Sequence, residues 1–339
     1  MEKIRVLTCE PHALRDPFLG TEHFVSLESS WVERFLSETG LQAIAKYYRS
    51  IRLGLRLFRH SPGYDAVLTS GAGDGLLFAF LQKFRGRKRA VHVMEDCLWY
   101  KSNVLKKWTV RFCLGSVDAC VVWASVEVDR YAREFEVPRQ KFHFVPFHHT
   151  LARYQFEVRN EGYLFSGGNG DRDYPTLLEA VRNLPAPCLI ATTRQDVLDR
   201  KDLPSNVQAR GVSHQEFRQL MASSKIVVVQ MKGGLLHAGG QQTVLNAMLM
   251  RKAVILTDPE GGRDYIEDWK TGVLVPAGDA EKLRMALERL LASEEDCARM
   301  GDAAHSYAAK MTVEECNLRI WEIIHNIVCS RQDVSMPSS

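Results

Sequence analysis

Two doubly wound α/β domains, Rossmann-like and facing a common cleft, are predicted by three features of the sequence. Short β-branched apolar runs alternate with helical patterns along the chain, and the rhythm restarts near the middle. The runs are almost continuously apolar, as strands are when both faces of a parallel sheet are covered. The length of 339 residues exceeds one ordinary core, so two domains are expected.

The elements follow in order. Ile4–Thr8 reads as a strand, and Trp31–Arg59 as helix interrupted around Gly40. Tyr64–Thr69 is a strand ending in the loop Ser70–Gly75, followed by a helix over Leu76–Phe84 and a strand over Ala90–Met94. An aromatic, basic helix is expected over Leu98–Leu114, a strand over Ala119–Trp123, a helix over Ser125–Phe135 and a strand over Phe142–Val145. The second half repeats the pattern. Strands are expected at Tyr163–Ser166, Pro187–Thr192, Val207–Ala209, Ile226–Gln230, Ala253–Thr257 and Val273–Pro276. Helices fall at Tyr174–Asn183, Ser213–Ser223, Gln241–Met250 and Asp279–Ser293, with more helix over Glu294–Ile327. Turn-like residues at Phe147–Asn160 mark the boundary. The expected organisation is a domain over 1–150, a second over 151–311, a helix over 312–330 returning to the first, and a frayed tail over 331–339.

Composition narrows the class. The chain is 45% hydrophobic and 25% charged, which excludes a disordered protein. Net charge is +3 but unevenly spread: residues 1–150 hold 22 Lys+Arg against 16 Asp+Glu, and residues 151–339 hold 22 against 25. That balance is too mild for nucleic-acid binding. The eight cysteines form no CxxC pair, so they read as small core residues in a reducing compartment rather than zinc ligands. No apolar run spans a bilayer and no secretory signal opens the chain, so the expected location is cytoplasmic.

Two glycine loops carry the chemistry. In Phe165-Ser-Gly-Gly-Asn-Gly-Asp-Arg-Asp-Tyr-Pro-Thr-Leu177, a strand leads into a helix near Asp173. Glycines let backbone approach an anion, and free amides at a helix start favour negative charge. Arg172 adds a guanidinium suited to phosphate. The third glycine of a dinucleotide fingerprint is missing, which disfavours an oxidoreductase. A plain strand–helix turn is the competing reading.

In Gly239-Gly-Gln-Gln-Thr-Val-Leu-Asn246, glycines again precede a helix. Gly240, Gln241, Gln242 and Thr243 would offer first-turn N–H groups, and Asn246 lies one turn on, within reach of a ribose hydroxyl. A capped core helix is the alternative. Two helix N-termini converging on one cleft would suit a diphosphate. Asp258 sits at a strand's C-terminal end, where ligands meet such sheets, and Asp279 reads as a helix cap.

With these segments in order, residues 163–291 resemble the nucleotide-binding domain of the group 1 glycosyltransferases, retaining family four. The resemblance rests on Gly167–Leu177, Gly211-Val-Ser-His-Gln-Glu-Phe217, Gly240-Gln-Gln-Thr through Ala247-Met248, Lys252–Asp258, and Tyr265-Ile through Gly272-Val-Leu-Val-Pro276. It implies a GT-B fold and a retaining, metal-independent transfer from a nucleotide-diphosphate sugar to a hydroxyl acceptor, a glycan or lipid-linked glycan. The donor is a substrate, and no separate cofactor is implied.

Gly167, Gly168, Asn169, Arg172, Gly239, Gly240, Gln241, Gln242 and Thr243 would then bind the donor, with Arg172 and the amides of Gly240–Thr243 holding its diphosphate and Arg172 also catalytic in stabilising it as it leaves. Val212 and Ser213 would meet the base, and Asn246 the ribose. Arg194 would be a second phosphate contact, unless it is a solvated loop arginine. Two family glutamates eight positions apart correspond here to Ala238 and Asn246, and the usual Arg/Lys pair to Gly168 and Asp173. These departures keep a non-catalytic nucleotide-sugar-binding or partner subunit open as an alternative, with an epimerase behind it.

The first domain should supply the acceptor side. Glu95 and Asp96, at the end of a strand, are candidates to orient the acceptor hydroxyl, and Asp96 reads equally as a helix cap. His92 reads as a core histidine, and the loop residues His148, His149 and His237 show no metal spacing. Basic residues Arg49, Arg52, Arg56 and Arg59, then Arg85–Arg89, then Lys106 and Lys107 with Trp99 and Trp108, read as a solvated face or as a dock for an anionic membrane surface.

Overall fold

The computed structural model describes residues 4–8, 23–24, 30–39, 41–71, 73–100, 103–257 and 259–335. The chain forms two compact units, one of residues Met1–Val145 with Cys316–Ser339, the other of Pro146–Glu315.

In the first unit the elements are β1 (Val6–Thr8), β2 (His23–Phe24), α1 (Trp31–Glu38), α2 (Gln42–His60), β3 (Ala66–Ser70) and α3 (Gly73–Gln82). They continue with β4 (Val91–Glu95), α4 (Val104–Leu114), β5 (Ala119–Val122), α5 (Ser125–Phe135) and β6 (Phe142–Phe144). The strands form one parallel sheet in the order β2-β1-β3-β4-β5-β6. This is the flavodoxin-like variant of the doubly wound order, with its reversal between β1 and β3. Gly40, the expected helix interruption, lies outside the described residues, and the helices on either side end at Glu38 and restart at Gln42.

The expected helix over Leu98–Leu114 starts later, at Val104, because Asn103 caps it by accepting from the Lys106 amide at 2.9 Å. Asp96 is therefore not its cap. Trp99 also leaves the expected surface set. It is buried, donates its indole N–H to Gly71 O at 2.9 Å, and meets Tyr131 and Phe135 edge-on. Arg85 lies over the Phe58 ring at 3.8 Å and Arg89 pairs with Asp118 at 2.8 Å, so both are structural.

The second unit comprises β7 (Leu164–Gly167), α6 (Tyr174–Val181), β8 (Cys188–Ala191), α7 (Gln195–Leu198), β9 (Val207–Arg210), α8 (His214–Ser223) and β10 (Ile226–Val229). There follow α9 (Gln241–Leu249), β11 (Ala253–Leu256), α10 (Pro259–Gly262), β12 (Val273–Leu274), α11 (Ala280–Ala292) and α12 (Glu294–Ala308). Its parallel sheet runs β12-β11-β10-β7-β8-β9, the six-strand Rossmann order with its switch point between β7 and β10.

The apolar runs are continuous because each strand feeds two cores. Leu164, Ile226 and Val228 pack with Leu177 and Leu287 on one face. Phe165, Val227 and Val229 pack with Leu245, Met248 and Ala304 on the other. Asp258 lies outside the described residues.

The last helix, α13 (Val313–Ser335), belongs largely to the first unit. Arg331 pairs there with Asp118 and donates to Arg89 O at 3.3 Å. The chain at Arg331 is thus helical and anchored where a frayed tail was expected. The helix expected over Glu294–Ile327 comes as two pieces, α12 ending at Ala308 and α13 starting at Val313, close to the expected start of a separate last helix at 312. Among the described residues no helix is long and apolar enough to cross a membrane.

Candidate functional site

Ligands of open α/β sheets meet the carboxyl ends of the strands at the switch point. In the second unit that point lies beyond Gly167 at the end of β7 and Val229 at the end of β10. A β-carbon on Gly167 would stand 2.4 Å from the Phe217 ring, and Gly168 turns the chain at φ +114°. Both positions therefore require glycine. Asn169 folds the loop onto β8, accepting from Thr192 Oγ1 and the Thr193 amide, each at 2.9 Å. The amide of Asp173 donates to Gln230 O at 3.0 Å, which ties the far end of the loop to β10.

The two glycine loops do not play equal parts. Asp173 caps α6, its carboxylate accepting from the Thr176 amide at 3.3 Å and from Thr176 Oγ1 at 2.6 Å. A carboxylate already sits where an anion would dock, so the expected pair of converging helix N-termini reduces to one. That one is α9. Its N-cap is Gly240, at φ +87°, with no side-chain cap on the first-turn amides of Gln241, Gln242 and Thr243. A β-carbon on Gly239 would stand 2.4 Å from Met231 Cε, and one on Gly240 2.6 Å from Val229 Cγ1. The backbone is pressed against the end of β10, which glycine alone permits.

Arg172 lies between the loops. Its side chain is buried. Nε donates to Gly167 O at 3.0 Å, Nη2 to Thr243 Oγ1 at 3.1 Å, and Nη1 lies 2.6 Å from Met231 Sδ. All three partners are neutral, and among the described residues no carboxylate lies within ion-pair distance of this guanidinium. Burial pulls its pKa down, opposed by Tyr174 and Asp171. A buried cation without a counter-ion is costly, and an anion at the same place relieves that cost. The neighbouring Asp171 instead faces His237, 3.3 Å away and buried.

Arg194 does not join the site as a phosphate contact. It forms a two-pronged pair with Asp196, with Nε donating at 2.9 Å, and its Nη1 donates to Arg172 O at 2.8 Å. It braces the Arg172 backbone and its charge is already met.

A cavity of about 800 Å³ opens beside these groups. Gly168, Asn169, Thr192, Thr193, Gln242 and Thr243 form polar lining, and Val212, Phe217, Met221 and Leu151 form apolar lining. Asn246 also lines it, with its amide turned onto Thr150. Oδ1 accepts from the Thr150 amide at 2.9 Å, and Nδ2 donates to Thr150 Oγ1 at 3.0 Å. Gln242 donates to the same hydroxyl at 3.1 Å. Ser213 is the N-cap of α8, accepting from the Glu216 amide at 3.1 Å, and Val212 rather than Ser213 faces the cavity.

Several lining residues carried no sequence signal. Thr150 lies 96 residues from Asn246, and the Arg218 guanidinium lies 3.8 Å over the ring of Tyr154, 64 residues before it in the chain. A polar amide on the core-facing side of α9 was the one available hint for the first pair.

In the first unit, Glu95 ends β4 and is buried, while Asp96 is exposed at φ +54°. Asp96 Oδ1 accepts from the Trp123 indole at 3.0 Å. Of the expected loop Ser70–Gly75, Ser70 ends β3, the Gly71 amide donates across to Glu95 O of β4, and Gly73–Gly75 already belong to α3. Ala72 lies outside the described residues. His92 is a core residue. Its Nε2 lies 2.9 Å from Thr69 Oγ1, Phe78 meets its ring edge-on, and burial pushes its pKa down to about 3.

The fold and this pocket define a two-unit doubly wound α/β protein with a buried arginine and an uncapped helix start at the switch point of its second unit. Residues 199–307, which take in α8, α9 and the Gly239–Gly240 loop, match the family model described as glycosyl transferases group 1. A search of curated proteins finds no match.

Among solved structures, a glycosyltransferase from Rickettsia africae is similar at TM-score 0.68 and 13% identity, over 97% of this chain and 99% of that one. Anabaena Alr3699/HepE in complex with UDP is similar at TM-score 0.70 and 13% identity, over 96% and 100%. Sucrose-phosphate synthase from Thermosynechococcus elongatus is similar at TM-score 0.68 and 14% identity, over 97% and 90%. Residues 199–307 are thus similar to the group 1 glycosyl transferases, and the chain shares the fold of these solved structures.

Proposed function

We propose that the protein is a retaining, metal-independent glycosyltransferase. It would take a sugar from a nucleotide-diphosphate donor and pass it to a hydroxyl acceptor, a glycan or lipid-linked glycan, on the cytoplasmic side. One observation carries the reading. The Arg172 guanidinium is buried against neutral partners, between two glycine loops and at the uncapped start of α9. Such a place rewards a diphosphate more than any neutral ligand.

In this reading Arg172 and the amides of Gly240–Thr243 neutralise the leaving diphosphate, which is the main electrostatic demand of sugar transfer. Gly168 and Asn169 shape the opposite wall, and Val212 lies against the base. Asn246 acts on the ribose side through the Thr150 segment that it holds. Asp96, exposed at the end of β4, orients the acceptor hydroxyl, and the buried Glu95 supports that turn. Departure and attack share one face of the sugar. The Anabaena structures similar to this chain were solved with UDP and with UDP-glucose, which makes uridine donors the first to try.

A second reading rests on position 238. There a buried alanine stands where the family carries a glutamate, and position 246 is a neutral amide already engaged. A subunit that binds nucleotide sugar without transfer would keep the diphosphate pocket and lose the chemistry. A thermal-shift panel of UDP, GDP, ADP and CDP with their sugars tests the shared part. At a hundredfold excess over Kd, a ligand stabilises by about 2.7 kcal/mol, so the right base stands out. No shift with any member rejects both readings. Binding without hydrolysis or transfer selects the second.

A further inference from the structure

We propose that the first unit docks on an anionic lipid bilayer through the outer faces of α1, α2 and α4 and the end of α3. This goes beyond the donor reading and does not depend on it. Along α2, Ile44, Tyr47, Ile51 and Leu55 are all about half or more exposed at three- and four-residue spacing, with Tyr47 at 71%. They form one apolar stripe on the outside of a helix. Gly54 marks where α2 meets α3, since a β-carbon there would stand 3.0 Å from Asp74 O. At 100° per residue, the stripe lies within about 100° of the Gly54 direction, so it borders α3.

The apolar surface continues there in rings. Phe84 and Phe80 are 5.5 Å apart, Phe80 reaches Phe112 of α4 at 6.0 Å, and Phe112 stacks on Trp108 at 5.4 Å. Phe84 is 76% and Trp108 60% exposed. A soluble unit gains nothing by presenting so many large apolar groups side by side.

Charge decides what covers them. Helices α1, α2 and α4 carry nine Lys and Arg against two Glu, both in α1. On α2 the exposed Arg49, Arg56 and Arg59 run along one flank of the stripe. Lys83 sits 3.7 Å over the Phe112 ring, which places a cation at the aromatic patch itself. Apolar and aromatic groups flanked by cations match a bilayer whose interface accepts rings and whose headgroups are anionic. A second copy of this chain would bring cation against cation, which disfavours it.

The test is co-sedimentation of the full chain with vesicles of phosphatidylglycerol and phosphatidylcholine, against phosphatidylcholine alone. The expected result is binding to the anionic vesicles that is at least tenfold tighter and weakens with salt. Tyr47→Ser with Ile51→Ser should reduce it about tenfold. Arg49→Glu with Arg59→Glu should reduce it about 25-fold or more and abolish the lipid preference, since each cation near such a surface contributes about fivefold. These side chains are exposed, so the variants should keep the wild-type melting temperature. Equal binding to both vesicle types, unchanged binding by the variants, or no binding at all would overturn the proposal. A dimer in sedimentation velocity that the serine variant dissolves, without vesicle binding, would assign the surface to a second copy.

Discussion

Replacing Arg172 by methionine separates a ligand-binding cation from a structural one. Methionine keeps much of the length and removes the charge. In the unliganded protein two effects oppose. Gly167 O and Thr243 Oγ1 lose their donor, at about 1–3 kcal/mol per stranded buried group. Against that, a desolvated guanidinium with no carboxylate at ion-pair distance among the described residues is removed, which relieves a penalty of similar size. The net change should stay within about 1 kcal/mol, or roughly 2–4 °C in melting temperature for a unit of this size.

With UDP bound the balance differs. Charge-assisted hydrogen bonds contribute about 1.5–3 kcal/mol each, and two to the diphosphate make a loss of about 3 kcal/mol conservative. That corresponds to roughly 150-fold weaker binding. Titration calorimetry with UDP reads the affinity, and a thermal melt without ligand reads the stability. The reasoning fails if Arg172→Met binds UDP within threefold of wild type. It fails in a different way if stability drops by more than about 3 kcal/mol while affinity holds, because Arg172 would then be a brace for the two loops.

Three further outcomes follow from the same geometry. Gly240→Ala adds a β-carbon 2.6 Å from Val229 Cγ1 at φ +87°, so the melting temperature should fall by about 5–10 °C and UDP affinity with it; an unchanged melt would show that the loop yields freely. Asn246→Ala strands the Thr150 amide and should cost about 1–3 kcal/mol in a urea titration, with only a several-fold loss of UDP affinity; a large affinity loss at unchanged stability would instead put Asn246 directly on the ribose. His92 stays neutral in the fold to about pH 3 while the unfolded chain protonates near 6.5, so the folded state loses stability as pH falls below 6.5. At pH 5 this one group should cost about 2 kcal/mol relative to pH 7, and His92→Gln should flatten the pH dependence by that amount; an equal slope in the variant would refute the assignment.

Much of the fold was legible because its signal is local. The runs Ala119–Val122 and Ile226–Val229 are β-branched, short and punctuated, and they form strands where their composition places them. Gly240 and the uncapped start of α9 are local features too, and the second glycine loop could be read directly. Pairing across the sheet is not local. Nothing in the sequence distinguishes the flavodoxin-like order of the first sheet from the Rossmann order of the second.

The errors have the same origin. Two helix N-termini read as free to meet a diphosphate until the Asp173 carboxylate is seen capping α6 on Thr176. Arg194, open in the sequence to a phosphate contact or a solvated loop role, is seen paired with Asp196 two residues on. Trp99 looks like an interfacial aromatic in sequence and is a core residue in space, held by Gly71 and Tyr131. Helical spacing identified the α2 cations, but exposure was needed to show that an apolar stripe runs beside them.

Sugar turnover tests the central claim most directly. The full chain would be incubated with the nucleotide sugar that gives the largest thermal shift, and proton NMR would follow the anomeric signals. The account predicts release of the nucleoside diphosphate, with the sugar transferred to an acceptor or to water and first appearing in the donor's own anomeric configuration. Arg172→Met should slow the reaction by at least the 150-fold, roughly, expected from lost diphosphate contacts. An inverted first product would contradict the retaining reaction. A donor that binds tightly and stays intact with every acceptor offered would contradict catalysis itself.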